Sequence, residues 1–198
     1  MSPPRVVVLD PAAYRRTPWK NGGGVTIDIA DAYRPCAVPG AWEGMIWRFG
    51  RTGFGGPRAP FSDLGGHDRI FAVVVGRGVV LETPDGEIDV RAPFHPVRFC
   101  GETPVTARLE AGPVEVVNLI GDRSAVALDL TFLEPGGARS VGAGCHVVYA
   151  PTGPASVVVA HQRLALPIDH AIRIEAADDA ALRCEAGRVV VASITSCR

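Results

Sequence analysis

The chain has 198 residues, 47% of hydrophobic type and 21% charged, enough to bury a sizeable core in one domain or in two small units. Its formal charge of -1, with the signs mixed, supplies no basic stripe for nucleic acid and no acidic tail. No apolar run approaches the roughly 18 residues that cross a bilayer, and the start "MSPPRVVVLDPAAY" has neither a signal-type apolar region nor a cleavage site, so a cytoplasmic protein is expected.

Taken in chain order, nearly every apolar run is short, rich in Val and Ile, and bounded by Gly, Pro or Asp, which is the pattern of strands in a sandwich or barrel. The segment "TPWKNGGGVTIDI" (17–29) sets Trp19, Lys20 and Asn21 before three glycines and an alternating run. A phosphate loop would carry a lysine after the glycines and lead into a helix; this one leads into a strand. Two readings stay open: a bulge at a strand entry, or a backbone bared so that a ligand can approach beside Lys20 and Asn21.

In "MIWRFG" a strand points Met45, Trp47 and Phe49 one way and Ile46 and Arg48 the other. Arg48 is then either a solvated cation or, if its face lines a barrel, a charge needing an acidic partner or an anionic ligand. In "RAPFSDLGGHDRIFAVVVGRG", Ser62, His67, Asp68 and Arg69 precede the apolar strand Phe71–Val75 and gather at its mouth, although Asp68 beside Arg69 can also be a plain surface pair.

"FAVVVGRGVVLETPDGEIDV" reads as strand, tight turn, strand, hairpin, strand, with Gly86 taking positive φ. Similar strands run from about Val105 to Ile194, and "EAADDAALRC" offers one helical turn. The expectation is an all-β chain of two β-sandwich or barrel units sharing an interface, 1–103 and 104–198, with few short helical turns. Asn118 shares parity with Val114, Val116 and Ile120, so its amide meets an apolar surface, either as a satisfied core amide or at the join of the two halves.

No two of the histidines (His67, His95, His146, His161, His170) are one, three or four residues apart, and no G-x-S-x-G elbow is present. Cys145 and His146 are strand neighbours and point to opposite faces. The cysteines Cys36, Cys100, Cys145, Cys184 and Cys197 are odd in number, scattered and without CxxC spacing, as expected of reduced, partly buried thiols.

Together, "PWKNGGGVT", the downstream "WR", "PFSDLGGHDRIF", "GRG" and "RFCGETPV…GPVEVVNLIGDR" resemble the HutD/Ves family of bacterial proteins over about residues 14–123. The resemblance implies a bicupin: two RmlC-like, jelly-roll units packed together. It also implies that Trp19, Lys20, Asn21, Arg48, Phe61, Ser62, Asp68 and Arg69 converge on one pocket in the first half. Cupins bind metal through a pair of histidines one residue apart and a glutamate; here Arg69 stands where the second histidine would, and no glutamate precedes Gly76. A cation in place of metal ligands points to a small anion, with no cofactor.

The expectation is therefore a cupin-like protein without catalysis, binding a small anionic metabolite (urocanate, formiminoglutamate, formylglutamate or formate) and moderating histidine utilisation. Lys20 and Arg48 or Arg69 would neutralise the carboxylate, Asn21 and Ser62 orient it, Trp19 and Phe61 exclude water, and Asp68 orient the arginine. The alternatives are a metal-assisted cupin isomerase or hydrolase with ligands from distant histidines, and a module whose Val-rich strand edges build a homo-oligomer.

Overall fold

A computed structural model describes residues 3–197. Apart from a 3-10 turn at Pro11–Ala13, its regular structure is strand, and the chain is all-β. Among the described residues no helix is long and apolar enough to cross a membrane. The chain divides into two compact units, one spanning Arg15–Val126 and the other joining the residues up to Tyr14 to those from Ala127 onward.

After β1 (Arg5–Leu9), the strands of the first unit are β2 (Arg15–Pro18), β3 (Val25–Tyr33), β4 (Met45–Phe54), β5 (Arg58–Pro60), β6 (His67–Val75), β7 (Val79–Thr83), β8 (Gly86–Val90), β9 (Val97–Cys100), β10 (Thr106–Leu109) and β11 (Val114–Asp122). They form a six-stranded sheet, β2-β3-β4-β11-β6-β9, and a four-stranded sheet, β5-β10-β7-β8. The division expected at 103/104 falls instead at 126/127, because β10 pairs antiparallel with β5 and β7, and β11 lies between β4 and β6. Removing β11 from the first sheet would break it in two.

Inward residues of both sheets make the core: Phe54, Phe71, Val73, Leu81, Val116 and their neighbours are almost wholly buried. β7 and β8 form the expected hairpin, Thr83 opposite Gly86, and Gly86 takes φ 126°. β6 begins at His67, so His67, Asp68 and Arg69 are ladder residues and not a cluster outside the strand.

The second unit adds β12 (Val126–Leu133), β13 (Ala138–Val141), β14 (Gly144–Tyr149), β15 (Ala155–Val159), β16 (Gln162–Leu166), β17 (Ala171–Ala176), β18 (Ala180–Ala186) and β19 (Val189–Ser196). Its sheets are β1-β17-β14-β19-β12 and β13-β18-β15-β16, the first repeating the order of β9-β6-β11-β4 with β1 added beside β17. The clean alternation of buried and open positions along β15 and β18 follows from one face meeting the core and the other meeting solvent. The helical turn expected in "EAADDAALRC" is absent: β17 and β18 flank a short bend there, and alternate residues of β18 are buried. Among the cysteines, Cys36, Cys100 and Cys197 are exposed rather than partly buried, Cys145 is intermediate and Cys184 is buried.

Candidate functional site

The inward positions of three adjacent strands of the first unit form a row. Arg48 of β4 stands opposite Ile120 of β11, and Ile120 opposite Arg69 of β6. With strands about 4.8 Å apart, the two arginine Cα atoms are roughly 10 Å from one another. The next row is Gly50, Asn118 and Phe71. From these rows Arg48, Ile120, Arg69 and Asn118 border a small cavity of about 40 Å³, to which Trp19, Trp42, Phe54 and Phe61 bring aromatic surface and Thr26, Thr52, Ser62 and Leu64 complete the lining.

Arg69 is 6% exposed. Its guanidinium carbon lies 4.6 Å from the centre of the Phe61 ring and 5.3 Å from that of Phe99, and its Nε is buried with no hydrogen-bond partner. Burial pushes this group down to about 10, and no acid offsets the shift. At neutral pH the side chain is a cation whose own neighbours are ring faces.

Arg48, 2% exposed, is differently placed. Its Nε lies 3.5 Å from Oδ1 of Asp28, its Nη2 donates to Tyr33 Oη at 3.1 Å and to the Gly40 carbonyl at 3.3 Å, and its guanidinium carbon sits 4.3 Å from the Trp42 ring centre. Asp28 is itself buried, and its Oδ2 accepts from Thr17 Oγ1 at 2.5 Å with Arg15 Nε at 3.5 Å. Burial raises the Asp28 carboxyl above its ordinary value, and Arg48, the Thr17 hydroxyl and Arg15 pull the other way. Of the two readings open for Arg48, the solvated cation falls, because the side chain is buried, and the charge facing an acid stands.

The glycine segment turns between β2 and β3. Trp19 N donates to Gly24 O and Gly22 N to Trp19 O, both at 2.9 Å, while Trp19 Nε1 donates to Thr26 Oγ1 at 3.0 Å. A Cβ at Gly24 would stand 2.9 Å from the indole, so the bare backbone there makes room for the protein's own tryptophan. Asn21 and Lys20 then clamp this turn to the segment before β6: Asn21 Nδ2 donates to Pro60 O at 2.9 Å, Asn21 N to Ser62 Oγ at 3.2 Å, and Lys20 Nζ to Asp63 O at 3.3 Å. The glycines therefore shape the rim through which a ligand would pass.

Of the residues expected to converge, Trp19, Arg48, Phe61, Ser62 and Arg69 line the cavity. Lys20 and Asn21 are exposed, hold the rim and do not line it. Asp68 departs from its expected role of orienting the arginine: as the ladder neighbour of Arg69 it points to the opposite face, where its Oδ1 accepts from Arg123 Nε at 3.0 Å. His67 is also outside the cavity, its Nδ1 3.1 Å from Gly65 O.

Sequence reasoning passed over Trp42, Thr26 and Thr52, and it read Asn118 as a core or junction amide. Asn118 lines the cavity, and its Oδ1 is buried without a partner. Its parity with Ile120 was the available signal. Gly50 beside it is obligatory, because a Cβ there would meet Thr26 Cγ2 at 2.6 Å and Ile27 O at 2.7 Å. The bare backbone at that ladder position is what lets Thr26, itself a lining residue, pack beside Asn118.

The cavity's donor set does not fit a cupin metal. Two guanidiniums occupy its base, and among the described residues no three His, Cys, Asp or Glu side chains are placed to hold a metal ion.

Comparison with known proteins agrees with this architecture. A conserved protein of Pseudomonas aeruginosa PAO1 superposes with a TM-score of 0.84 at 23% identity, covering 97% of this chain and 100% of its own. HutD from Pseudomonas fluorescens SBW25, solved in a formate condition, gives a TM-score of 0.77 at 24% identity over 98% and 100%. A 21.2 kDa Pseudomonas putida protein from the hutC 3′ region is 34% identical over 110 residues, so the match spans 54% of this chain and about half (53%) of that relative. The HutD family model matches residues 11–192, through both cupin-like units, and the chain belongs to the HutD family.

Proposed function

We propose that the first unit binds a small anionic metabolite through one carboxylate, without catalysing a reaction, and that it thereby moderates histidine utilisation in the cytoplasm. The observation that carries this reading is Arg69, a guanidinium 6% exposed that lines a cavity and faces no acid. An unpaired buried charge costs several kcal/mol, and a ligand carboxylate arriving in the cavity would remove that cost by accepting two parallel N–H bonds. Ser62 Oγ and the Asn118 amide would orient the anion, while Trp19, Trp42 and Phe61 would displace water and strengthen the pairing.

The pathway assignment is supported by the family and by the hutC-region location of the P. putida relative. Urocanate, formiminoglutamate, formylglutamate and formate each present a carboxylate of the required kind. Calorimetric titration of these four anions into the protein and into Arg69→Gln tests the reading. Saturable binding of at least one, lost in the variant, is the expected result; heats of dilution alone from all four overturn it.

A further inference from the structure

The cavity contains two guanidiniums, yet they are not equivalent in charge. Arg48 is matched by Asp28, 3.5 Å away and buried to the same degree, whereas Arg69 has no acid. Around Arg48 the charges cancel: Arg15 reaches both Asp28 and Asp31, and Asp31 is the ladder neighbour of Arg48. Asp68 and Arg123 pair on the other face. Arg15, Arg48 and Arg69 against Asp28 and Asp31 leave one net positive charge.

Resting on the reading that the cavity takes a carboxylate, we propose that Asp28 is the specificity-determining residue of the site, limiting its interior to a single anionic group by neutralising Arg48. In a low-dielectric cavity one unmatched charge of either sign dominates the energy, so the count of carboxylates admitted follows the count of unmatched cations. Arg48 contributes Nη2 bonds to Tyr33 and Gly40 and a stacked face on Trp42, and Asp28 removes its charge from the ligand's view. Asp28 touches no ligand on this account and acts through Arg48; Thr17 and Arg15 fix its rotamer. A metabolite with a second carboxylate must leave that group at the mouth.

The test is calorimetric titration of formate and of oxalate, the smallest dicarboxylate, into the wild type and four variants. Asp28→Asn should raise oxalate affinity about tenfold relative to formate, by freeing a second cation. Arg48→Gln should weaken formate about tenfold, because Asp28 is then an unmatched anion beside the ligand, and the double variant should recover formate affinity. A loss of packing alone would not produce that recovery. An unchanged oxalate-to-formate ratio in folded Asp28→Asn overturns the proposal. So does unchanged formate affinity in Arg48→Gln, which decides the matter if Asp28→Asn does not fold. Arg69→Gln separates the two failures: if formate binds and needs Arg69 while the other variants show no charge dependence, only the role of Asp28 falls; if Arg69→Gln changes nothing, the carboxylate site falls with it.

Discussion

Arg69 and Phe61 face one another at 4.6 Å, guanidinium carbon to ring centre, in a cavity that offers the arginine no carboxylate. A cation–π contact recovers only about 1–2 kcal/mol of the desolvation of a guanidinium. The ligand-free fold is therefore less stable with Arg69 than with an apolar residue of similar length. Arg69→Met should raise stability by about 1–3 kcal/mol in urea unfolding while abolishing anion binding. A variant that loses both stability and binding would mean that Arg69 is part of the packing and not a charge kept for a ligand.

The rim clamp yields a local prediction. Asn21→Ala removes the Nδ2 bond to Pro60 O and the Oδ1 acceptor of Gly23 N, leaving the cavity floor untouched. Each such bond contributes about 0.5–1.5 kcal/mol. Hydrogen exchange should speed up in residues 19–24, which lose these restraints, with the β6 and β11 amides unchanged. Faster exchange throughout the six-stranded sheet would show instead that the turn is integral to the fold.

The strands were legible because their apolar residues are β-branched and their boundaries are Gly, Pro or Asp. Even the opposite orientation of Arg48 to Trp47 and Phe49 follows from parity alone, and both sides of β4 prove to be buried. What could not be read was which acids meet which cations. Asp68 adjoins Arg69 in sequence but lies on the other face, while Asp28, 20 positions before Arg48 in the chain, supplies the actual partner through the β3–β4 pairing. The unit boundary was missed for a similar reason: β11 resembles every other Val-rich strand, and only its ladder partners assign it to the first sheet.

Gly24 tests why the motif carries glycine next to Val25. The Cβ of Gly24→Ala would stand 2.9 Å from two indole carbons, and the ring cannot yield without straining its Nε1 bond to Thr26 Oγ1. Overpacking of this kind costs about 1–3 kcal/mol. The expected outcome is a lower melting temperature, a shifted tryptophan emission spectrum and weaker anion binding. Retention of the wild-type spectrum and affinity would show that the indole has room the geometry denies it.

The second unit carries a pH response of its own. His146 of β14, 2% exposed, places Nε2 at 2.9 Å from Gly142 O and Nδ1 at 2.9 Å from Ser193 Oγ of β19. Because a carbonyl only accepts, Nε2 carries the proton and Nδ1 accepts from the serine hydroxyl, fixing the neutral tautomer. Burial lowers its pKa below the ordinary 6.5, with the Gly142 bond opposing and Arg139 adding to the shift. The unfolded chain therefore takes up a proton as the pH falls through 6.5 while the folded chain does not, so stability is full above that value and declines below it, down to the depressed folded pKa. Urea midpoints at about pH 7.5 and about pH 5 should differ, and His146→Gln, which keeps a polar group beside Ser193 without a titrating ring, should shrink that difference. An equal pH dependence in the variant would show that the acid sensitivity does not come from His146; carboxylates such as Asp122 and Glu102, whose pKa values are lowered by hydrogen bonds from Ser124 and Arg123 respectively, lose their contribution only at more acid pH, below their unfolded values.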